Sequence, residues 1–268
     1  MNNGIYGAVI GDIVGSYYEF LKPRMKDKDF PLFSSNSRFT DDTVMSVALA
    51  ATIIAGFSDE KSFKKLFIEY MHYFGLKHFN AGYGGFFKEW LINKSYEPYG
   101  SYGNGSAMRV AAAGAVFDSL EETQKVARWS AEVTHNHPEG IKGAESVASI
   151  MWLARNGYDK DYIRKYISEK YDYDLNRTCD DIRPSYKFEV SCQKSVPEAI
   201  IAFLDGNSYE ECIRLAVSLG GDTDTQAAIT GAMASMMYPI PEDIKKQAVK
   251  FISDDLLIII NNFSSLCN

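Results

Sequence analysis

Basic stretches, paired cysteines, alternating strand patterns and membrane-length apolar runs are all missing from this chain of 268 residues. Its 28 Lys and Arg stand against 35 Asp and Glu, a net charge of −7 that argues against a nucleic-acid surface. The four cysteines, Cys179, Cys192, Cys212 and Cys267, show no C-x-x-C spacing and no nearby histidine pairing. A spacing-defined zinc site and a disulfide framework are thereby excluded, and a reducing compartment is expected. The N-terminus lacks a basic n-region, and the longest late apolar run, Leu256 to Ile260, is far too short to span a bilayer. No Pro/Ser-rich linker divides the chain. A single domain over residues 1–268 is expected, in a cytoplasmic monomer without membrane partners.

What is there is helical periodicity. Residues 4 to 21 place Ile5, Ala8, Val9, Ile13, Tyr17 and Phe20 at helical spacing, with Gly7, Gly11 and Gly15 every fourth residue. Glycine is costly inside a helix, so something has to approach that backbone closely. Asp12 and Glu19 fall on nearly the same face as Gly15. Further helices are expected from Thr43, from about 60 to 74, around 110–116, from 120 to Val133, at 139–155, 159–170, 195–205, 208–219, 224–237 and 241–262. Pro197 suits the first turn of the 195–205 helix. Residues 22 to 38 read as an irregular loop that could cover a site, and 171 to 192 show no period. The fold class expected is all-α.

Two stretches carry most of the chemistry: Phe39-Thr40-Asp41-Asp42-Thr43, and Leu219-Gly220-Gly221-Asp222-Thr223-Asp224-Thr225-Gln226. Each sets two carboxylates and threonine hydroxyls at a helix start. An N-cap requires such residues, but it requires only one. Carboxylates this dense repel one another unless hydrated, protonated or bridged by a cation, and oxygen-only clusters suit a hard ion such as Mg²⁺. The glycines of Tyr99 to Met108 precede a helix and offer a seat for phosphate, although the Walker ending is absent. In Thr134-His135-Asn136-His137-Pro138, His135 is a candidate for hydrogen bonding a substrate.

Taken in order, Gly11-Asp12-Ile13-Val14-Gly15 with Glu19, Phe39-Thr40-Asp41-Asp42-Thr43, Gly82-Tyr83-Gly84 with Phe87 and Trp90, Asn104 to Arg109, Thr134-His135 with Pro138, Ser195 to Ala199, and Gly220 to Thr225 form a familiar series. The chain resembles the ADP-ribosylglycohydrolases from about residue 4 to 237. The resemblance implies a compact all-α domain with two Mg²⁺ ions, for which Mn²⁺ often substitutes, in a cleft for ADP-ribose. It implies Thr40, Asp41, Asp42, Asp222, Asp224 and Thr225 as metal ligands. By the same matching Asn104, Gly105, Ser106 and Met108 would line the diphosphate and ribose, and His135 the distal ribose region. Glu19 or Asp41 would be the catalytic carboxylate.

The activity implied is release of ADP-ribose from an ADP-ribosylated protein (arginine or serine) or a small ADP-ribosyl conjugate, by hydrolysis at C1″ of the distal ribose. One alternative is a member that binds ADP-ribose without turnover. Another is a metal-dependent phosphohydrolase, since Asp222-x-Asp224 is similar to the haloacid dehalogenase nucleophile motif. That motif belongs after an N-terminal strand, whereas this one lies late and between helices.

Overall fold

The structure, a computed structural model, describes residues 4–267 and builds them from α-helices joined by loops. In chain order these are α1 (Tyr6–Ser16), α2 (Asp41–Ala55), α3 (Glu60–Lys77), α4 (Gly85–Ile92), α5 (Gly105–Met108), α6 (Ala111–Val116), α7 (Leu120–Glu132) and α8 (Pro138–Arg155). There follow α9 (Lys160–Tyr171), α10 (Cys179–Ile182), α11 (Cys192–Asp205), α12 (Tyr209–Ser218), α13 (Thr223–Met237), α14 (Glu242–Ala248) and α15 (Asp254–Leu266). No strand forms among the described residues, only one antiparallel bridge between Gly103 and Ser191. The expected all-α class is what the chain adopts, and one continuous hydrophobic core holds it together. No described helix is long and apolar enough to cross a membrane. The four cysteine thiols are free.

The glycine stripe decides the packing. Every residue of α1 is buried, and α1 lies chiefly along α13, which also touches α8, α11 and α12. A Cβ built on Gly7, Gly11 or Gly15 would stand 2.3, 2.0 or 2.2 Å from the carbonyl oxygens of Gly231, Ala227 and Thr223. Backbone therefore meets backbone along three turns, and no side chain fits between. The close approach expected of these glycines is made by a neighbouring helix.

Several boundaries differ from the periodic pattern for local reasons. The first helix stops at Ser16, whose hydroxyl donates to the Ile13 carbonyl and accepts from the Arg38 N–H. The single helix expected over 241–262 is broken by extended Ile252, with Ser253 opening α15. α11 begins at Cys192, so Pro197 sits past the first turn rather than within it. The aperiodic 171–192 stretch holds α10, opened by a Thr178–Asp181 capping box.

Gly11→Ala is expected to destabilise the protein by about 2–3 kcal/mol through overpacking, seen as a lower urea midpoint. Gly84→Ala, with nothing within 4 Å of the added Cβ, serves as the control and shifts stability by under about 0.5 kcal/mol. Equal effects from the two substitutions would refute the packing account.

Candidate active site

Asp12 reaches from α1 into the start of α2. Its carboxylate accepts from Thr40 N–H (2.9 Å), Thr40 Oγ1 (2.7 Å), Thr43 N–H (3.1 Å) and Thr43 Oγ1. A distant residue thus satisfies N–H groups that open a helix. Thr40 has one hydroxyl proton, and the shorter contact takes it to Asp12 rather than to Asp42 Oδ2 at 3.2 Å. Its lone pairs are left on the side of Asp42.

The second acidic motif comes up against the first because α13 lies along α1. Asp222 occupies the N-cap position of α13 but makes no side-chain cap bond. Its Oδ2 instead accepts from Asn104 Nδ2 at 2.8 Å. Thr225 Oγ1 approaches Asp42 Oδ2 at 3.3 Å. Single oxygens of Asp12, Asp42 and Asp224 lie within 4.8 Å of one another, and so do those of Glu19, Asp222 and Asp224. Asp42 Oδ1 is buried with no hydrogen-bond partner. Among the described residues no Lys or Arg forms a salt bridge with any of these carboxylates. An unpaired buried carboxylate oxygen in an oxygen-only cluster without a salt-bridge partner fits a bound hard cation.

All of these carboxylates except Asp12 line a cavity of about 440 Å³. Its lining includes Glu19, Thr40, Asp41, Asp42, Asp222, Asp224 and Thr225, together with Asn104, Gly105, Met108, Arg109 and His135. Phe20, Phe86, Tyr99, Phe188 and Val190 add apolar wall, with Phe20 and Phe86 65% and 78% exposed. Asp41 donates its N–H to Ala81 O at 2.9 Å, and Gly82 follows with φ +116°, a conformation that favours glycine. The 183–191 segment is tied to the glycine loop by Asn104 N–H to Val190 O (2.8 Å) and Cys192 N–H to Tyr102 O (2.8 Å).

The sequence model described as ADP-ribosylglycohydrolase matches residues 2–266. The chain belongs to the ADP-ribosylglycohydrolase family. It is 26% identical to human ADP-ribosylhydrolase ARH3 across 94% of this chain and 89% of that one. It is 28% identical to the ADP-ribosylarginine hydrolase Tri1 of Pseudomonas putida (strain GB-1), over 91% of this chain and 73% of that one. A solved structure described as an ADP-ribosylglycohydrolase-related protein complex shares the fold, with a TM-score of 0.72, 22% identity and coverage of 99% and 95% of the two chains. As a member of this family the protein is an enzyme of the ADP-ribosyl hydrolase kind.

In this ADP-ribosylglycohydrolase the residues singled out from sequence converge, with one exception. Ser106 is fully buried and absent from the cavity wall, and its hydroxyl donates to Gly140 O at 2.7 Å. The glycine loop leads only into the four-residue α5, and Asn104 spends its amide on Asp222 rather than on a cap. Of residues 22 to 38 only Arg38 lines the cavity. Lys26 Nζ holds that loop aside by donating to the carbonyls of Arg183, Tyr186 and Leu219. Asp12 was visible beside Glu19 on one helical face, but its role as anchor of α2 was not. Phe188 and Val190 lie in the stretch without period, and no sequence signal marks them.

Electrostatics make the cluster costly when no cation is bound. Burial first, and the Asp224 charge second, push Glu19 and Asp41 up to about 8 and Asp12 to about 7. The same two causes raise Asp42 and Asp222 far above the usual carboxylate range, and burial raises Asp224. Unfolded carboxyls titrate near about 4, so the folded metal-free protein retains protons that the unfolded chain has lost. Stability then falls as pH rises through the folded values. Between about pH 6.5 and about pH 8, urea midpoints in EDTA should drop, at about 1.4 kcal/mol per pH unit for each extra proton retained. Below that window His135 and His72, held neutral by burial, act in the opposite sense. Mg²⁺ at pH 8 should restore the midpoint; a flat profile in EDTA would contradict this account.

Proposed function

We propose that the protein is a dimagnesium-dependent hydrolase releasing ADP-ribose from ADP-ribosylated side chains, arginine or serine, or from small ADP-ribosyl conjugates. The bond cut is the one from C1″ of the distal ribose to its carrier. The observation that carries the reading is a cavity lined by Glu19 from just past α1, by Asp41 and Asp42 of α2 and by Asp222 and Asp224 at the start of α13, with Asp42 Oδ1 buried and unpaired. Family membership, and a relative named for ADP-ribosylarginine, support the choice of substrate.

Thr40, Asp41, Asp42, Asp222, Asp224 and Thr225 would hold the two ions, with Mn²⁺ as a substitute. Bound there, they would supply Lewis acidity toward ribose hydroxyls and water. Asp12 fixes Thr40 and the first turn of α2, and Asn104 fixes Asp222, so the ligand oxygens are set in place before substrate arrives. Asp41 and Glu19 both line the cavity and are partly exposed. One of these carboxylates takes a proton from the attacking water as its oxygen bonds C1″, and as the bond to the carrier breaks that proton is handed on to the departing carrier atom, leaving the carboxylate ionised again. Gly105, Met108 and His135 line the cavity and would face the diphosphate and ribose. Ser106 acts indirectly, pinning the loop to α8. Such an enzyme would work as a cytoplasmic monomer.

Free ADP-ribose should be released from ADP-ribosyl-arginine or ADP-ribosyl-serine peptides with Mg²⁺, and release should stop in EDTA. Asp41→Asn and Asp224→Asn should each lower kcat by about 10²-fold or more. Binding of ADP-ribose with no release from either peptide would instead favour a non-catalytic member.

A further inference from the structure

We propose that Arg109 and Thr134 are positioning residues that fix His135 as its Nε2–H tautomer, a neutral hydrogen-bond donor aimed into the cavity. Arg109 is only 1% exposed, and His135 6%. Arg109 Nη2 donates to Ser130 O at 2.7 Å and to Thr134 Oγ1 at 2.9 Å. Thr134 Oγ1 in turn lies 2.8 Å from His135 Nδ1. A guanidinium only donates, so the threonine oxygen accepts from it. The threonine proton then needs an acceptor, and Nδ1 is the group in reach. Nδ1 must therefore be bare, and the ring proton resides on Nε2.

The opposite tautomer would point two donors, Arg109 N–H and His135 Nδ1–H, at one oxygen and leave a buried hydroxyl proton without an acceptor. Such an unmade bond disfavours that tautomer by about tenfold or more. The imidazolium is disfavoured as well, since burial and then the Arg109 charge depress the His135 pKa well below its usual value. Nε2 faces the glycine loop: a Cβ on Gly105 would lie 2.9 Å from it. The loop thus leaves His135 room only because residue 105 has no side chain. The cavity presents a neutral N–H at this point, suited to an acceptor oxygen and unsuited to a ligand N–H. The tautomer does not depend on the proposed function; naming a nucleotide oxygen as the acceptor does.

The test uses the full chain in Mg²⁺ with ¹⁵N-labelled histidine, without nucleotide, at about pH 7.5, where neutral imidazole is well sampled. There are four histidines, and His135 is assigned by the resonance lost in His135→Asn. Wild type should show His135 as one species, Nε2 protonated and Nδ1 bare. Thr134→Val should yield both tautomers and raise the Kd for ADP-ribose about tenfold, and Thr134→Ser should restore both readings. A wild-type His135 that is Nδ1–H or doubly protonated overturns the proposal, as does an unchanged single tautomer in Thr134→Val. If ADP-ribose binds to none of these proteins while the tautomer pattern holds, the substrate reading falls and the relay stands.

Discussion

Direct contact of backbone with backbone between α1 and α13 is the constraint on which the site depends. Three carbonyls of α13 occupy the space where side chains of Gly7, Gly11 and Gly15 would be. That approach sets Asp12 beside Asp224 and leaves Glu19, just past the end of α1, within reach of Asp222 and Asp224. A larger residue in the stripe would do more than weaken the core. It would separate carboxylates contributed by segments some two hundred residues apart, and their value lies in being close.

Holding those carboxylates close opposes folding when no cation is present. Burial and then like charge resist ionisation, and the raised pKa values of Asp12, Asp41, Asp42 and Asp222 express that resistance. The surrounding structure counters it with neutral donors in direct contact, and only from beyond salt-bridge distance with the charges of Arg38 and Lys88, which favour ionised Glu19 and Asp41. Asp12 takes the N–H and hydroxyl groups of Thr40 and Thr43, and Asp222 takes the Asn104 amide. A salt bridge would have neutralised the cluster and filled its coordination positions. Hydrogen bonds from neutral groups orient the oxygens and keep their charge available.

Much of this was legible in sequence because the chemistry is concentrated in short motifs. Thr40 to Asp42 and Asp222 to Thr225 announced themselves by supplying more acceptors than a helix start needs. The structure shows both halves of that argument at work: Thr40 does cap α2, accepting from Asp42 N–H, whereas Asp222 holds the N-cap position without capping. What escaped was whatever depends on two segments meeting. Asp12 stands beside the glycine stripe that marks α1, but its bonds to α2 follow only from the packing. Phe188 and Val190 reach the cavity through the pairing of 183–191 with the glycine loop, which involves backbone groups and so leaves no mark on side-chain pattern. Ser106 shows the converse, a motif residue whose hydroxyl serves the scaffold.

The cavity brings unlike surroundings together, and that combination is the strongest physical argument for what it accommodates. Its wall carries the carboxylates of Glu19, Asp41, Asp42, Asp222 and Asp224, the imidazole of His135 and the rings of Phe20, Phe86, Tyr99 and Phe188. A cation-bound polyol, a hydrogen-bond acceptor and a flat ring would each meet a complementary group there. ADP-ribose supplies all three, as distal ribose, diphosphate and adenine. The neutral state of His135 matters to that match, since a positive ring would compete for the acids, whereas a fixed N–H donor can serve the linker or ribose without disturbing them.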